Sequence, residues 1–217
     1  MKDIKKIINL DYISIKPYFT LKNLIILLFL YFFYFFISKN PMAATSVILF
    51  FSIIYSSYPF LIGEEAGIDS LYRIFGIKSE KVVRGRYIFG IILFLISLII
   101  SILLSTILFF FIESFEIKEF LATSLSYFAV YLLFLSFRYP LYFKYGYKKA
   151  KSISAITFAF IAVISFFVMA FKDSLYNLLL FVENNIFISL LFVIVIILAI
   201  VIISVKISEK FYKNRDF

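Results

Sequence analysis

Two adjacent carboxylates, Glu64 and Glu65, close a long apolar run. Paired glutamates at a membrane can activate water for hydrolysis by general acid and base action. The residue four beyond Glu65 is a further acid, Asp69, and the chain has no His to share that work. It has no Cys either, which removes thiolate and imidazole metal sites and His-dependent triads. Gly76-Ile77-Lys78-Ser79 approaches a phosphate-binding loop but lacks the spacing that wraps a triphosphate. The chain is therefore expected to bind no cofactor or metal and to hydrolyse no nucleotide itself.

The elements that carry these residues belong to a membrane. Of 217 residues 64% are hydrophobic and only 16% charged, with a mean hydropathy of +1.04. Soluble domains hold about 45–50% apolar residues. A soluble enzyme, a disordered chain and, despite the net charge of +9, a nucleic-acid-binding domain are excluded. We read an all-α, polytopic integral membrane protein with six transmembrane helices, 21–38, 42–62, 87–112, 121–137, 152–171 and 186–205, each near the roughly 20 residues needed to cross a bilayer. Of the 22 Lys and Arg, only Lys39, Lys118 and Lys172 fall in the loops assigned to the outside. The positive-inside rule then places the N and C termini in the cytoplasm. Residues 1–20 read as an amphipathic interfacial helix, with Ile4, Ile7 and Ile8 on one face, Lys2, Lys5 and Lys6 toward the other, and Pro17 as a break.

No Asp, Glu, Lys or Arg occupies the middle of a predicted span, which argues against a gradient-driven pump. Small and hydroxyl residues take their place. Gly90, Ser97, Ser101 and Ser105 share one face of the third span, a seam for close helix packing. Thr45, Ser52, Ser56 and Gly63 form a second seam on the second span. With Tyr55 and Tyr58 it is a candidate substrate path, and packing is the alternative reading. The aromatic run Phe29 to Phe36 is too dense for one helical face and must touch lipid or a neighbouring helix.

Five of the six Gly residues, at 63, 67, 76, 85 and 90, cluster in or beside one basic loop, 63–86. There Asp69 can cap a short helix carrying Leu71, Tyr72, Ile74 and Phe75, and Gly76 can stop it. Such a helix at the inner surface suits docking onto a cytoplasmic protein. Asp69, Leu71, Tyr72 and the run Val82-Val83-Arg84-Gly85-Arg86-Tyr87, together with Tyr139-Pro140-Leu141-Tyr142-Phe143-Lys144-Tyr145-Gly146-Tyr147-Lys148-Lys149-Ala150-Lys151 in the other basic loop, resemble the inner-loop signatures of the ABC-2 type permease family. The resemblance runs the length of the chain, and is closest to small permeases of bacterial exporters that include the phenol-soluble modulin exporters.

The resemblance implies a single permease domain over 1–217, in the bacterial plasma membrane, that pairs with a second copy or a paralogue. Each permease would sit on a separate ABC ATPase subunit holding ATP and Mg. Loop 63–86 becomes the coupling loop: Glu64, Glu65, Asp69, Leu71, Tyr72 and Phe75 would face the ATPase, and Arg84, Gly85, Arg86 and Tyr87 would connect it to the third span. It also implies that 172–185, apolar and too short to cross, is an extracellular or re-entrant connection. Amphipathic peptides, antimicrobial peptides among them, or lipid-like molecules suit a path lined by Ser, Thr, Tyr and Phe. A non-transporting immunity or anchor protein is the alternative reading, and an intramembrane protease, whose paired-glutamate motif would carry an Arg at position 69 and His partners, is a further one.

Overall fold

A computed structural model describes residues 2–109, 117–153, 163, 166, 171 and 185–215, and among them every regular element is a helix. In chain order these are α1 (Lys2–Ile15), a 3-10 turn (Lys16–Tyr18), α2 (Leu21–Ser38), α3 (Pro41–Tyr55), α4 (Tyr58–Glu65), α5 (Ile68–Ile74), α6 (Ser79–Phe109), α7 (Ile117–Tyr145) and α8 (Ile186–Lys213). Residues 147–153 are also helical. Among the described residues four stretches are long and apolar enough to cross a membrane: Leu21–Ser38, Pro41–Glu65, Ser79–Leu108 and Ile188–Lys213. They coincide with the first, second, third and sixth predicted spans, and α7 contains the fourth. The fifth, 152–171, and the connection 172–185 lie largely or wholly outside the described residues.

Local chemistry explains the boundaries. Thr20 Oγ1 accepts from the Asn23 amide at 3.2 Å and caps α2. Asn40 Oδ1 accepts from the Met42 amide at 2.8 Å to start α3, with Pro41 in its first turn and Lys39 in the left-handed conformation between them. The second span is not one continuous helix. Pro59 lies in the first turn of α4, and the chain breaks at Ser56-Ser57, whose hydroxyls donate to the Ile53 and Ile54 carbonyls.

The other difference from the sequence reading is length. Helix α6 begins at Ser79 rather than Tyr87, α7 runs to Tyr145 rather than stopping at Phe137, and α8 runs to Lys213 rather than Val205. Charged residues end a hydropathic run without ending a helix. The second basic motif is accordingly helical up to Tyr145 rather than a loop, even with Pro140 inside α7. These extensions carry the main core. Val82, Val83, Tyr87, Tyr139, Tyr142, Phe143 and Tyr212 are all buried there. The core thus sits at the basic end of the bundle, where α1, α4 and α5 gather.

Toward the opposite end the helices are held by hydroxyls. Ser101 and Ser105 are buried. Ser52 donates to Ser97 across α3 and α6, the Tyr31 hydroxyl lies 3.3 Å from Ser105 Oγ, and Tyr131 donates to the Gly90 carbonyl at 2.7 Å. Both small-residue faces therefore pack, as expected where close approach and hydrogen bonds, not apolar burial, draw helices together.

Helix α1 packs on α6 and α4. Its buried stripe is Ile7, Asp11 and Ile15, one residue per turn, while Lys5, Lys6, Tyr12 and Ile13 stay exposed. An ion pair of Lys81 with Asp3 adds to the contact. Ile7 fits because residue 85 is Gly: a Cβ there would lie 2.8 Å from Ile7 Cγ2.

Gly85→Ala is expected to displace α1 and cost about 1–3 kcal/mol of stability, with Ile7→Ala in the same chain recovering part of it. Thermal unfolding in detergent and proteolysis of α1 read the two effects.

Candidate functional site

Helix α5 is short and tightly bounded. Gly67, with φ 65°, precedes it. It ends with the Gly76 amide donating to the Arg73 carbonyl and the Ile77 amide to the Tyr72 carbonyl, both at 2.9 Å, the double bond expected around a left-handed Gly. Gly76 stops the helix as the sequence indicates. Asp69 does not cap it: no side chain caps the start of α5, and Asp69 is buried at 5% exposure. The side chain turns inward because a stronger partner waits there.

That partner is Arg86, 2% exposed on α6. Its Nη2 donates to Asp69 Oδ1 at 2.9 Å, and the Tyr212 hydroxyl of α8 donates to the same oxygen at 3.1 Å. Asp11 of α1 approaches from the other side, its Oδ1 3.9 Å from Arg86 Nε. The guanidinium lies 4.5 Å from the Phe60 ring centre and 5.8 Å from that of Phe143, so two aromatic faces supplement the carboxylates. Gly63 makes room, since a Cβ there would stand 2.8 Å from Arg86 Nη2. Burial pushes the Asp11 carboxyl up to about 7; Arg86 pulls the other way and Asp69 adds to the rise. Burial, then the Asp11 charge, pushes the Tyr72 phenol up to about 12.

With Asp69 and Tyr72 turned inward, α5 presents the opposite face outward. Leu71 is 45% exposed, Ile74 and Phe75 each 75%. At positions i, i+3 and i+4 they form one apolar knob. Arg73 braces α5 from the side, donating to the Lys213 and Arg215 carbonyls at 3.0 and 2.6 Å.

The remaining loop residues disperse. The Glu64 carboxylate accepts from the Tyr147 amide and, at 3.2 Å, the Lys148 amide, placing an anion at the start of helix 147–153. Glu65 lies 3.9 Å from Lys148 Nζ. The paired carboxylates thus serve different contacts instead of facing one water. Exposed Arg84 pairs with Glu209 of α8 at 2.8 Å. Tyr87 is buried with its hydroxyl 2.6 and 3.1 Å from Ser204 and Ser208. Among the described residues no cluster of His, Cys, Asp and Glu could hold a metal ion.

The candidate path residues lie on the α3–α4 face. Thr45, Ser52, Ser56 and Tyr55 are buried, and Tyr58 is half-buried. The Thr45 and Ser56 hydroxyls donate to carbonyls of their own helix turn, whereas that of Ser52 donates across to Ser97. Tyr55 and Tyr58 join Tyr18 and Phe19 in an aromatic cluster. Sequence reasoning did not single out Asp11, Phe60 or Tyr212, and it knew Phe143 only as part of the second basic motif. Asp11 had a signal: it is the one charge on the Ile7–Ile15 stripe, a position that wants a buried partner.

Asp69→Ala should cost about 3–5 kcal/mol, because it strands a buried guanidinium, whereas Ile74→Ala should stay within about 0.5 kcal/mol. Thermal unfolding in detergent separates them, and equal losses would contradict the burial pattern.

Comparison with known proteins bears on the same residues. A family model described as ABC-2 family transporter protein matches residues 6–213, from within α1 to the end of α8. No curated protein and no solved structure matches. The matched region takes in the whole Arg86 cluster and the four apolar spans, and such a chain is a multi-pass plasma-membrane protein. By a match that spans nearly its full length, the chain belongs to the ABC-2 family of transporter proteins, the membrane permeases of ABC transporters.

Proposed function

We propose that this chain is the permease subunit of an ATP-driven exporter in a bacterial plasma membrane, with six spans and both termini in the cytoplasm. A separate ATPase subunit binds ATP and Mg, and a second permease copy or paralogue completes the pore. The observation that carries this reading is the α5 knob. Leu71, Ile74 and Phe75 are exposed on a helix whose other face is fixed by Asp69 and Tyr72. A firmly held short helix with a projecting apolar face can take a push and pass it on. The three residues lie at the basic end, which the positive-inside rule assigns to the cytoplasm, where an ATPase would stand.

From α5 the push has a route. Asp69 hands it to Arg86 at the base of α6. Next to Arg86 in the chain, Tyr87 reaches Ser204 and Ser208 of α8, and Ser204 Oγ donates to the Ser136 carbonyl of α7 at 2.6 Å. Helices α6, α7 and α8 are thereby linked to the coupling helix by hydrogen bonds. We assign the substrate route to the α3–α4 face with Thr45, Ser52, Tyr55, Ser56 and Tyr58, opened when the Ser52–Ser97 contact between α3 and α6 separates. Hydroxyls and aromatic rings without charges suit an amphipathic peptide or a lipid-like molecule, though not a small ion.

The test is co-purification of the tagged chain in mild detergent with an ATPase assay on the eluate. Leu71→Ala with Phe75→Ala should lower ATPase recovery at least about tenfold, the loss of one to two kcal/mol of contact, with membrane insertion unchanged. A stoichiometric ATPase that survives this double replacement would move the interface elsewhere; recovery of the chain alone would favour an anchor or immunity protein.

A further inference from the structure

The Arg86 cluster holds more negative charge than it can neutralise. One guanidinium faces two carboxylates, and Asp11, Asp69 and Arg86 are 1%, 5% and 2% exposed. The two contacts differ. Asp69 has a short charged hydrogen bond and a second donor in Tyr212. Asp11 stands 3.9 Å off, and among the described residues its Oδ2 has no hydrogen-bond partner, nor have Arg86 Nε and Nη1. A buried, unpartnered ionised carboxylate is costly, and the cheapest relief is a proton.

We propose that the Asp11–Arg86 contact is a proton-operated latch that seats α1 on α6 beside α5, with Arg86 as the positioning residue shared by both helices. Asp11 enters the cluster as the acid, taking a proton from the cytosolic side, and leaves it as the carboxylate. Helix α5 stays fixed through Asp69, and α1 is the part that moves.

Among the described residues Asp11 meets no cation but Arg86 and no base but Asp69. From α5 it meets Asp69 and the buried Tyr72, and from α6 only Arg86, since Lys81 pairs with Asp3 and Arg84 with Glu209. On α4, Glu64 and Glu65 turn to Tyr147 and Lys148. From α7, Tyr139 gives its hydroxyl to the Ser56 carbonyl, and from α8, Tyr212 gives its own to Asp69. On α1 itself Lys5 and Lys6 are exposed.

The linkage has a definite sign. With the docked Asp11 near 7 and an ordinary value of 3.8 once α1 is released, docking is strongest below the lower value. It weakens as pH rises and levels off above the upper one. The latch stands on this geometry; only its consequence for an ATPase rests on the coupling role proposed for α5.

The chain has no Cys, so spin labels at Ile13→Cys on α1 and Ile88→Cys on α6, both exposed, report their separation without interference. In nanodiscs, the docked fraction over the detached one should fall by up to tenfold per pH unit between about pH 5 and 7 and level off above about 8. Asp11→Asn, which stays neutral, should make the ratio independent of pH. A separation in the parent chain that ignores pH from 5 to 8 overturns the latch, as does pH dependence that persists in a folded Asp11→Asn chain. The same samples, with ATPase co-purified or not, keep the two readings apart: an ATPase bound to a chain whose α1 ignores pH sinks the latch alone, and a pH-driven α1 without any ATPase sinks the coupling role alone.

Discussion

A guanidinium at 2% exposure is the constraint on which the basic end is built. Arg86 cannot be deprotonated to escape burial, so the chain has to bring charge and π-faces to it. Asp69, Asp11, Phe60 and Phe143 come from four other helices, and Gly63 leaves the gap the side chain fills. Removing the close carboxylate would leave a charge in a low-dielectric core, which is why this set of helices holds together as a unit although several are short.

Two kinds of adhesion divide the molecule. At the basic end, aromatic burial and the charge cluster make a firm core. Along the spans, Ser52–Ser97, Tyr31–Ser105 and Tyr131–Gly90 hold helices by single hydrogen bonds, each with a Ser or Gly on at least one side. Each such bond contributes roughly 1 kcal/mol, so the span contacts can exchange while the core keeps its shape. A transporter that must move helices without unfolding its drive end would be divided in this way. An apolar groove of about 590 Å3 between α7 and α8, lined by Leu125, Phe128, Leu132, Val193 and Ile197, falls in the looser region.

Much of this was legible in the sequence. Periodicity and hydropathy located four spans, the Ser38–Pro41 turn and the Gly76 stop, because these depend on local chemistry. The α6 seam was readable because Gly90, Ser97, Ser101 and Ser105 repeat at helical spacing. What escaped was long-range. Asp69 looks like a helix cap until Arg86 is placed beside it, and Tyr72 looks as free as Phe75 until the cluster takes it inward. Helix α7 runs past Pro140 because Tyr139, Tyr142 and Phe143 find a core that no window of hydropathy contains. The division of Glu64 and Glu65 between capping residues 147–148 and a loose pair with Lys148 likewise depends on a contact some 80 positions away in the chain.

On the proposed reading, one short helix, pinned from behind by Asp69 and Arg86, is where an ATPase meets this permease. Electron cryo-microscopy of the chain purified with its ATPase in nanodiscs, with non-hydrolysable nucleotide, examines that contact directly. The expected result is Leu71, Ile74 and Phe75 seated in a cleft of the ATPase, with Asp69 still bonded to Arg86 behind them. An ATPase bound elsewhere with those three side chains in solvent, or an α5 detached from Arg86 in the complex, would contradict it.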